Sequence, residues 1–155
     1  MKLITSRPEQ GTSYQENPLY AVSKRFLAAL ESAGAVSLLY LQAMLLVAYY
    51  EYGHAIYPAA WMTIGACSRY SEILGLPSQT DLYNTLERST TWTEAEERRR
   101  VWWGVFILDR AISIGSQRKF SAPDPKDTDL LPVDDSAWMR GREPIIDKKS
   151  FIVSG

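Results

Sequence analysis

Residues Thr93–Gly115, TEAEERRRVWWGVFILDRAISIG, read as one long helix. Thr93 and Glu96 stand in the Thr-x-x-Glu spacing of a capping box, in which hydroxyl and carboxylate satisfy two orphan backbone donors. Val101, Val105, Leu108 and Ile112 recur at three- and four-residue steps and give the helix an inner face, with Gly115 as its stop. Glu94 precedes Arg98, and Glu96 precedes Arg100, by four residues in the favoured acid-first order. The triple-arginine run is therefore largely neutralised on its own helix, and Trp102 and Trp103 read as packing residues rather than stacking platforms for nucleic-acid bases. Asp109 and Arg110 are the only charged residues between Val101 and Ile114. Asp109 lies one position from the inner face, where a carboxylate without partners costs several kcal/mol. It should belong to a buried network fixing how this helix meets its neighbours; a ligand-binding role is the alternative.

Upstream, three more helices are expected. Asn17-Pro18 supplies a cap and a first-turn proline for a helix over 18–32, with Leu19, Val22, Phe26, Ala29 and Leu30 as its apolar face and Gly34 beyond its end. Ser37 caps a second helix from Leu38 to about Tyr52, apolar all round and therefore central. Gly53-His54 turns the chain into a third, from about Ile56 to Leu74, with Pro58 in its first turn. Trp61, Ile64, Ala66, Tyr70 and Ile73 form its packing face, and Gly75-Leu76-Pro77 stop it. Residues 78–92 are mostly polar, with one weak helical turn around 82–86.

After Gly115, Pro123, Pro125 and Pro132 and the aspartates at 124, 127, 129, 134 and 135 predict a loop. The expected architecture is all-α: an irregular bundle of about four main helices followed by this Pro/Asp-rich loop, as part of a larger helical domain. Residues 1–16 form a flexible lead-in, 17–138 the helical domain, and 139–155 an unassigned tail that reads as cut off. No internal repeat and no sheet-like alternation is visible.

A hydrophobic content of 46 % fits a chain with a real core, and a net charge of -1 offers no excess of cations to hold a polyanion. The single cysteine, Cys67, allows neither a disulfide framework nor a multi-thiolate zinc site within these residues. The N-terminus carries no apolar run of signal-peptide length. The apolar stretch 35–50 is shorter than the roughly 18 to 20 residues that span a bilayer, so no membrane partner is expected.

Catalytic chemistry finds little support. His54, the only histidine, reads as a solvent-facing turn residue, and Cys67 as a small buried side chain in a helix. Asp127-Thr128-Asp129 lacks the third ligand and the glycine of a calcium loop. Asp134-Asp135 is expected in a loop, without the acidic partners of a helical diphosphate-binding motif, and no glycine-rich phosphate loop occurs. No enzyme activity, catalytic residue, metal ligand or cofactor is expected.

The run from Glu97 to Arg110, arginines followed by a tryptophan, a mostly apolar segment and Asp-Arg, resembles the signature helix of the fungal-specific transcription factor domain, the middle homology region of fungal zinc-cluster factors. Leu41–Leu46, Ala60-Trp61-Met62 and Leu74-Gly75-Leu76 resemble the two helices before it. Asp127–Pro132 resembles the family's following Asp-x-Asp-x-x-Leu-Pro stretch, while Ser116–Phe120 departs from its usual Gly-Arg-Pro. On this resemblance Arg99, Arg100, Trp103, Asp109, Arg110 and Pro132 are the family-signature residues, with a structural network as their role. The resemblance implies a nuclear regulator of RNA polymerase II transcription, acting through protein partners or self-association, with a small-molecule effector between helices as a further option; Tyr40, Tyr49, Tyr50, Tyr52 and Trp61 could line such a cavity, although ordinary core packing is the expected role of most of them. DNA contact and zinc would belong to a six-cysteine module that this chain does not contain. The alternatives are a magnesium-dependent helical enzyme of prenyl-transfer type and a helical scaffold without regulatory output.

Overall fold

In the computed structural model, residues 2–5, 13–76 and 89–141 are described. They form α1 (Lys2–Thr5), a 3-10 turn (Tyr14–Glu16), α2 (Pro18–Ser32), α3 (Leu38–Gly53), α4 (Ala59–Ile73), α5 (Trp92–Ser116) and α6 (Asp135–Arg140), with no strand among the described residues. The all-α bundle expected from periodicity is what forms. The weak turn predicted at 82–86 and the tail beyond Gly141 lie outside the described residues. Among the described residues no helix is long and apolar enough to cross a membrane.

The packing is centred on α3 and α4, which make the most extensive contact, while α5 lies against both and α2 against α3. Leu41, Tyr50, Ile64, Trp102, Val105 and Ile112 are essentially inaccessible to solvent. Two glycines permit the close approaches. A methyl at Gly104 would lie 3.0 Å from Leu45 Cδ2, and one at Gly65 would lie 3.2 Å from Ser121 Oγ.

The ends of α2 and α3 fall where their caps place them. Asn17 Oδ1 accepts from the Leu19 amide at 3.0 Å, and Ser37 Oγ from the Tyr40 amide at 3.1 Å. The inner face of α2 differs from the expected one. Tyr20 and Leu27 are buried, while Leu19, Val22 and Phe26 are 42 %, 57 % and 62 % exposed. Two stripes on this helix satisfy helical spacing, and polar groups select between them. Tyr20 donates its hydroxyl to Glu51 at 2.7 Å, Lys24 pairs with Glu51 at 3.0 Å, and Asn17 donates to the Tyr50 hydroxyl at 3.1 Å. A buried carboxylate needs these partners more than the exposed apolar stripe needs cover. Nor is α3 enclosed on every side, because Leu39 and Tyr49 face outward.

Pro58 is the N-cap of α4 rather than part of its first turn, after a cis Tyr57–Pro58 peptide. The inner side of α4 is built from small residues, Ala60, Cys67, Ser68 and Ser71 around Ile64; Trp61, Ala66 and Tyr70 are half-buried and Ile73 is exposed. Gly75, at φ 74, closes the helix as expected, and the Leu76 amide bonds back to Ser71 O at 2.9 Å. At the chain start Leu3 of α1 is buried in the core cluster, so the lead-in is not wholly loose.

Two corrections concern α5. It begins at Trp92 with Thr91 as cap: Thr91 Oγ1 accepts from the Glu94 amide at 3.2 Å, and Glu94 accepts from the Thr90 amide at 2.9 Å. The reciprocal cap therefore sits two residues before the Thr93/Glu96 pair, which frees Glu96 to turn inward. The helix also runs through Gly115 to Ser116, and Gln117 adopts the left-handed conformation that ends it.

Candidate functional site

The segment after α5 doubles back along the helix as a strap, anchored at three levels. Near the far end, the buried Asp109 carboxylate accepts from the Ser121 amide at 3.0 Å and the Ala122 amide at 3.1 Å. Arg110 pairs with it at 2.7 Å, donates to Ala122 O at 3.0 Å, and reaches Asp124 at 2.8 Å. The Arg110 guanidinium lies between two rings, 4.4 Å from the centroid of Phe106 and 4.2 Å from that of Phe120. Midway, Trp103 Nε1 donates to Leu130 O at 2.9 Å.

Glu96 organises the near end. Its carboxylate has no solvent exposure, pairs with Arg99 and with Arg100, the latter at 3.1 Å, and accepts from the Val133 amide at 2.8 Å. Arg100 also donates to Val133 O at 2.7 Å and pairs with Asp135 at 3.0 Å, with its guanidinium 5.0 Å from the Trp138 ring centroid. A carboxylate so placed repays desolvation only because charge-assisted donors surround it. The chain then enters α6, capped by Asp134, whose side chain accepts from the Ala137 amide at 2.9 Å. Bonding from the Ser136 hydroxyl and the Ala137 amide holds the Asp134 carboxyl below its ordinary range.

Arg99, Arg100, Trp103, Asp109 and Arg110 thus follow one helix beneath one strap. Pro132 is half-buried in that strap, between the residues that meet Trp103 and Arg100, at a position where no N–H is needed. Ala122 and Val133 were not among the residues singled out from sequence. Glu96 was read as a cap and as the acid partner of Arg100; the Arg100 pair forms, while its hold on the Val133 amide has no local sequence signal. Asp134 and Asp135 were expected in a loop; Asp134 caps α6 and Asp135 opens it.

The reactive side chains lie elsewhere. His54 is half-buried rather than solvent-facing, stacked 3.7 Å from the ring of Tyr14 and edge-on to Tyr50. Burial, then the charge of Glu51, push the Cys67 thiol up to about 12. No group of three or more His, Cys, Asp or Glu residues among the described residues is placed to hold a metal ion. What the charged groups on α5 do chemically is fasten backbone.

A strap docked by an arginine–tryptophan–aspartate helix coincides with a family match: residues 3–150 match the Fungal specific transcription factor domain. The chain belongs to this family. Within it, the chain is similar to Transcription factor BOA15 of Botryotinia fuckeliana, 41 % identical over 64 % of this chain and 55 % of the relative. It is similar also to the Pigment biosynthesis transcriptional activator pigB of Monascus ruber, 31 % identical over 80 % of this chain and 24 % of that protein. Activatory protein CHA4 of Saccharomyces cerevisiae is 29 % identical over 66 % of this chain and 16 % of its own length. The chain thus corresponds to between a sixth and about half of these curated relatives. No solved structure matches it. In this fungal transcription factor domain the matched residues include α5 and the strap docked on it.

Proposed function

We propose that this chain is regulatory-region material of a fungal zinc-cluster transcription factor. It acts in the nucleus on RNA polymerase II transcription through protein contacts, with DNA read by a zinc module outside these residues and without enzymatic activity of its own. The reading rests on the family match over residues 3–150, and the names of its relatives, transcription factors and activators, support it. The geometry adds a mechanism. A strap held by ion pairs at both ends and one indole bond between them can be docked or released, and a partner that prefers one state shifts the balance by its differential affinity. The prenyl-transfer alternative draws no support from Asp134 and Asp135, which cap a helix and pair with Arg100.

The test is a fungal reporter assay with the chain fused to a heterologous DNA-binding domain, together with the transcriptome of a strain lacking the gene. The expected result is a reporter level that differs from that of the DNA-binding domain alone and changes again with Arg100→Ala. An unaltered reporter combined with an unaltered transcriptome overturns the proposal.

A further inference from the structure

Away from the strap, residues of α2, α3 and α4 line an open pocket of about 200 Å³, below the range of drug-sized pockets and suited to a small metabolite. Its polar end is formed by Lys24, whose ammonium donates to Glu51 Oε1 and Thr63 Oγ1, each at 3.0 Å. Glu51 is wholly buried and also accepts the Tyr20 hydroxyl. The charge of Lys24 is therefore already cancelled from behind, by a carboxylate that solvent does not reach. An arriving anion would meet no uncompensated cation there. Two of the three ammonium donors are engaged, so this end offers a hydrogen bond to a neutral oxygen.

The other end has the opposite character. Glu31 lies two turns along α2 from Lys24, about 10 Å at the helical rise, and forms no ion pair among the described residues. It stands near the Tyr40 hydroxyl, which burial, and then the charge of Glu31, raise above its ordinary value. Carboxylate and aromatic ring together favour a cation. Between the ends the wall is apolar, with Leu27 and Ala66 rigid and Met44 and Met62 able to adjust their shape to a guest.

We infer that this cavity binds a small primary amine with a short aryl or alkyl body and a hydroxyl or carbonyl oxygen at its far end. The ammonium sits between Glu31 and the Tyr40 ring, the body lies on the two methionines, and the oxygen meets Lys24 and Thr63. The inference goes beyond the regulatory reading and fails separately from it, because binding is read on the chain itself and not from a reporter.

The experiment is calorimetric titration of the full 155-residue chain with tyramine. A parallel arm uses 3-(4-hydroxyphenyl)propionate, which exchanges the ammonium for a carboxylate. Saturable one-site binding of tyramine is expected, with affinity at least about tenfold above that of the propionate. Glu31→Gln, at an exposed position that leaves the bundle intact, should weaken tyramine binding by about fivefold or more, and Ala66→Leu, which fills the cavity, by about tenfold or more. Absence of saturation by tyramine, equal affinity for the propionate, or unchanged binding in both variants overturns the site.

Discussion

Replacing Asp109 by alanine removes the far anchor of the strap, and its cost can be worked from the bonds it makes. The carboxylate is wholly buried and holds two backbone amides, those of Ser121 and Ala122, besides the Arg110 guanidinium. Arg110 keeps Asp124, the Ala122 carbonyl and two aromatic faces, so its own loss is small. Both amides take Asp109 as their acceptor and lose it in the alanine variant. Stranding each costs about 1 to 2 kcal/mol, and the expected loss is about 3 kcal/mol. For a chain of this length that lowers Tm by about 6 to 12 °C. Asp109→Asn keeps an oxygen for the amides but turns an NH2 group toward Arg110, and should lose about half as much. Thermal melting followed by circular dichroism measures the loss, and amide hydrogen exchange locates it, with Ser121 and Ala122 accelerated ahead of the core. A melting temperature within about 1 °C of the parent, or unaltered exchange at those two amides, would refute the reasoning.

Three further outcomes are expected. Gly65→Ala sets a helix-propensity gain of about 1 kcal/mol against a methyl 3.2 Å from Ser121 Oγ, a rotatable group, and should be nearly neutral in chemical denaturation. Gly65→Leu, whose side chain cannot be accommodated that way, should cost about 1 to 3 kcal/mol. Stability should fall on alkaline titration: the folded state holds the Cys67 thiol at about 12 and the Tyr20 phenol above its ordinary value, so the unfolded chain gives up protons first as pH rises above about 9. Denaturant midpoints measured from pH 7 to 11 test this, and a flat profile contradicts it. At the acid end the sign reverses: the lowered Asp134 carboxyl supports α6 above the ordinary aspartate range and loses its effect as pH falls through its folded value. Asp134→Ala should remove that acid dependence from the Trp138 indole NMR resonance, and a resonance that titrates as in the parent counts against the cap.

Helix existence was legible in the sequence because caps and glycines are local. Asn17, Ser37 and Gly75 fix their ends through bonds within a few residues. Which face turns inward was less so. On α2 the apolar spacing of Leu19, Val22 and Phe26 competes with the Asn17, Tyr20, Lys24 stripe, and the contest is settled by Glu51, which lies far along the chain. The same holds for the strap. Asp109 announces itself by being charged in an apolar run, whereas its partners are backbone amides, which carry no side-chain signature. The cap reading of Glu96 came from a local motif, Thr-x-x-Glu, that the chain realises two residues earlier with Thr91.

The strap and the rod beneath it tolerate changes in length very differently. About 20 Å of helix separates Glu96 from Asp109, while the segment from Ser121 to Val133 could stretch to about 40 Å. Roughly half its reach is slack, so residues can be gained or lost around Pro125–Thr128, beyond the Asp124 pair with Arg110, without loosening either knot. One residue inserted into the rod between the knots would swing one by about 100° relative to the other. Homologues should therefore vary in length in the ribbon and keep a constant count along the rod.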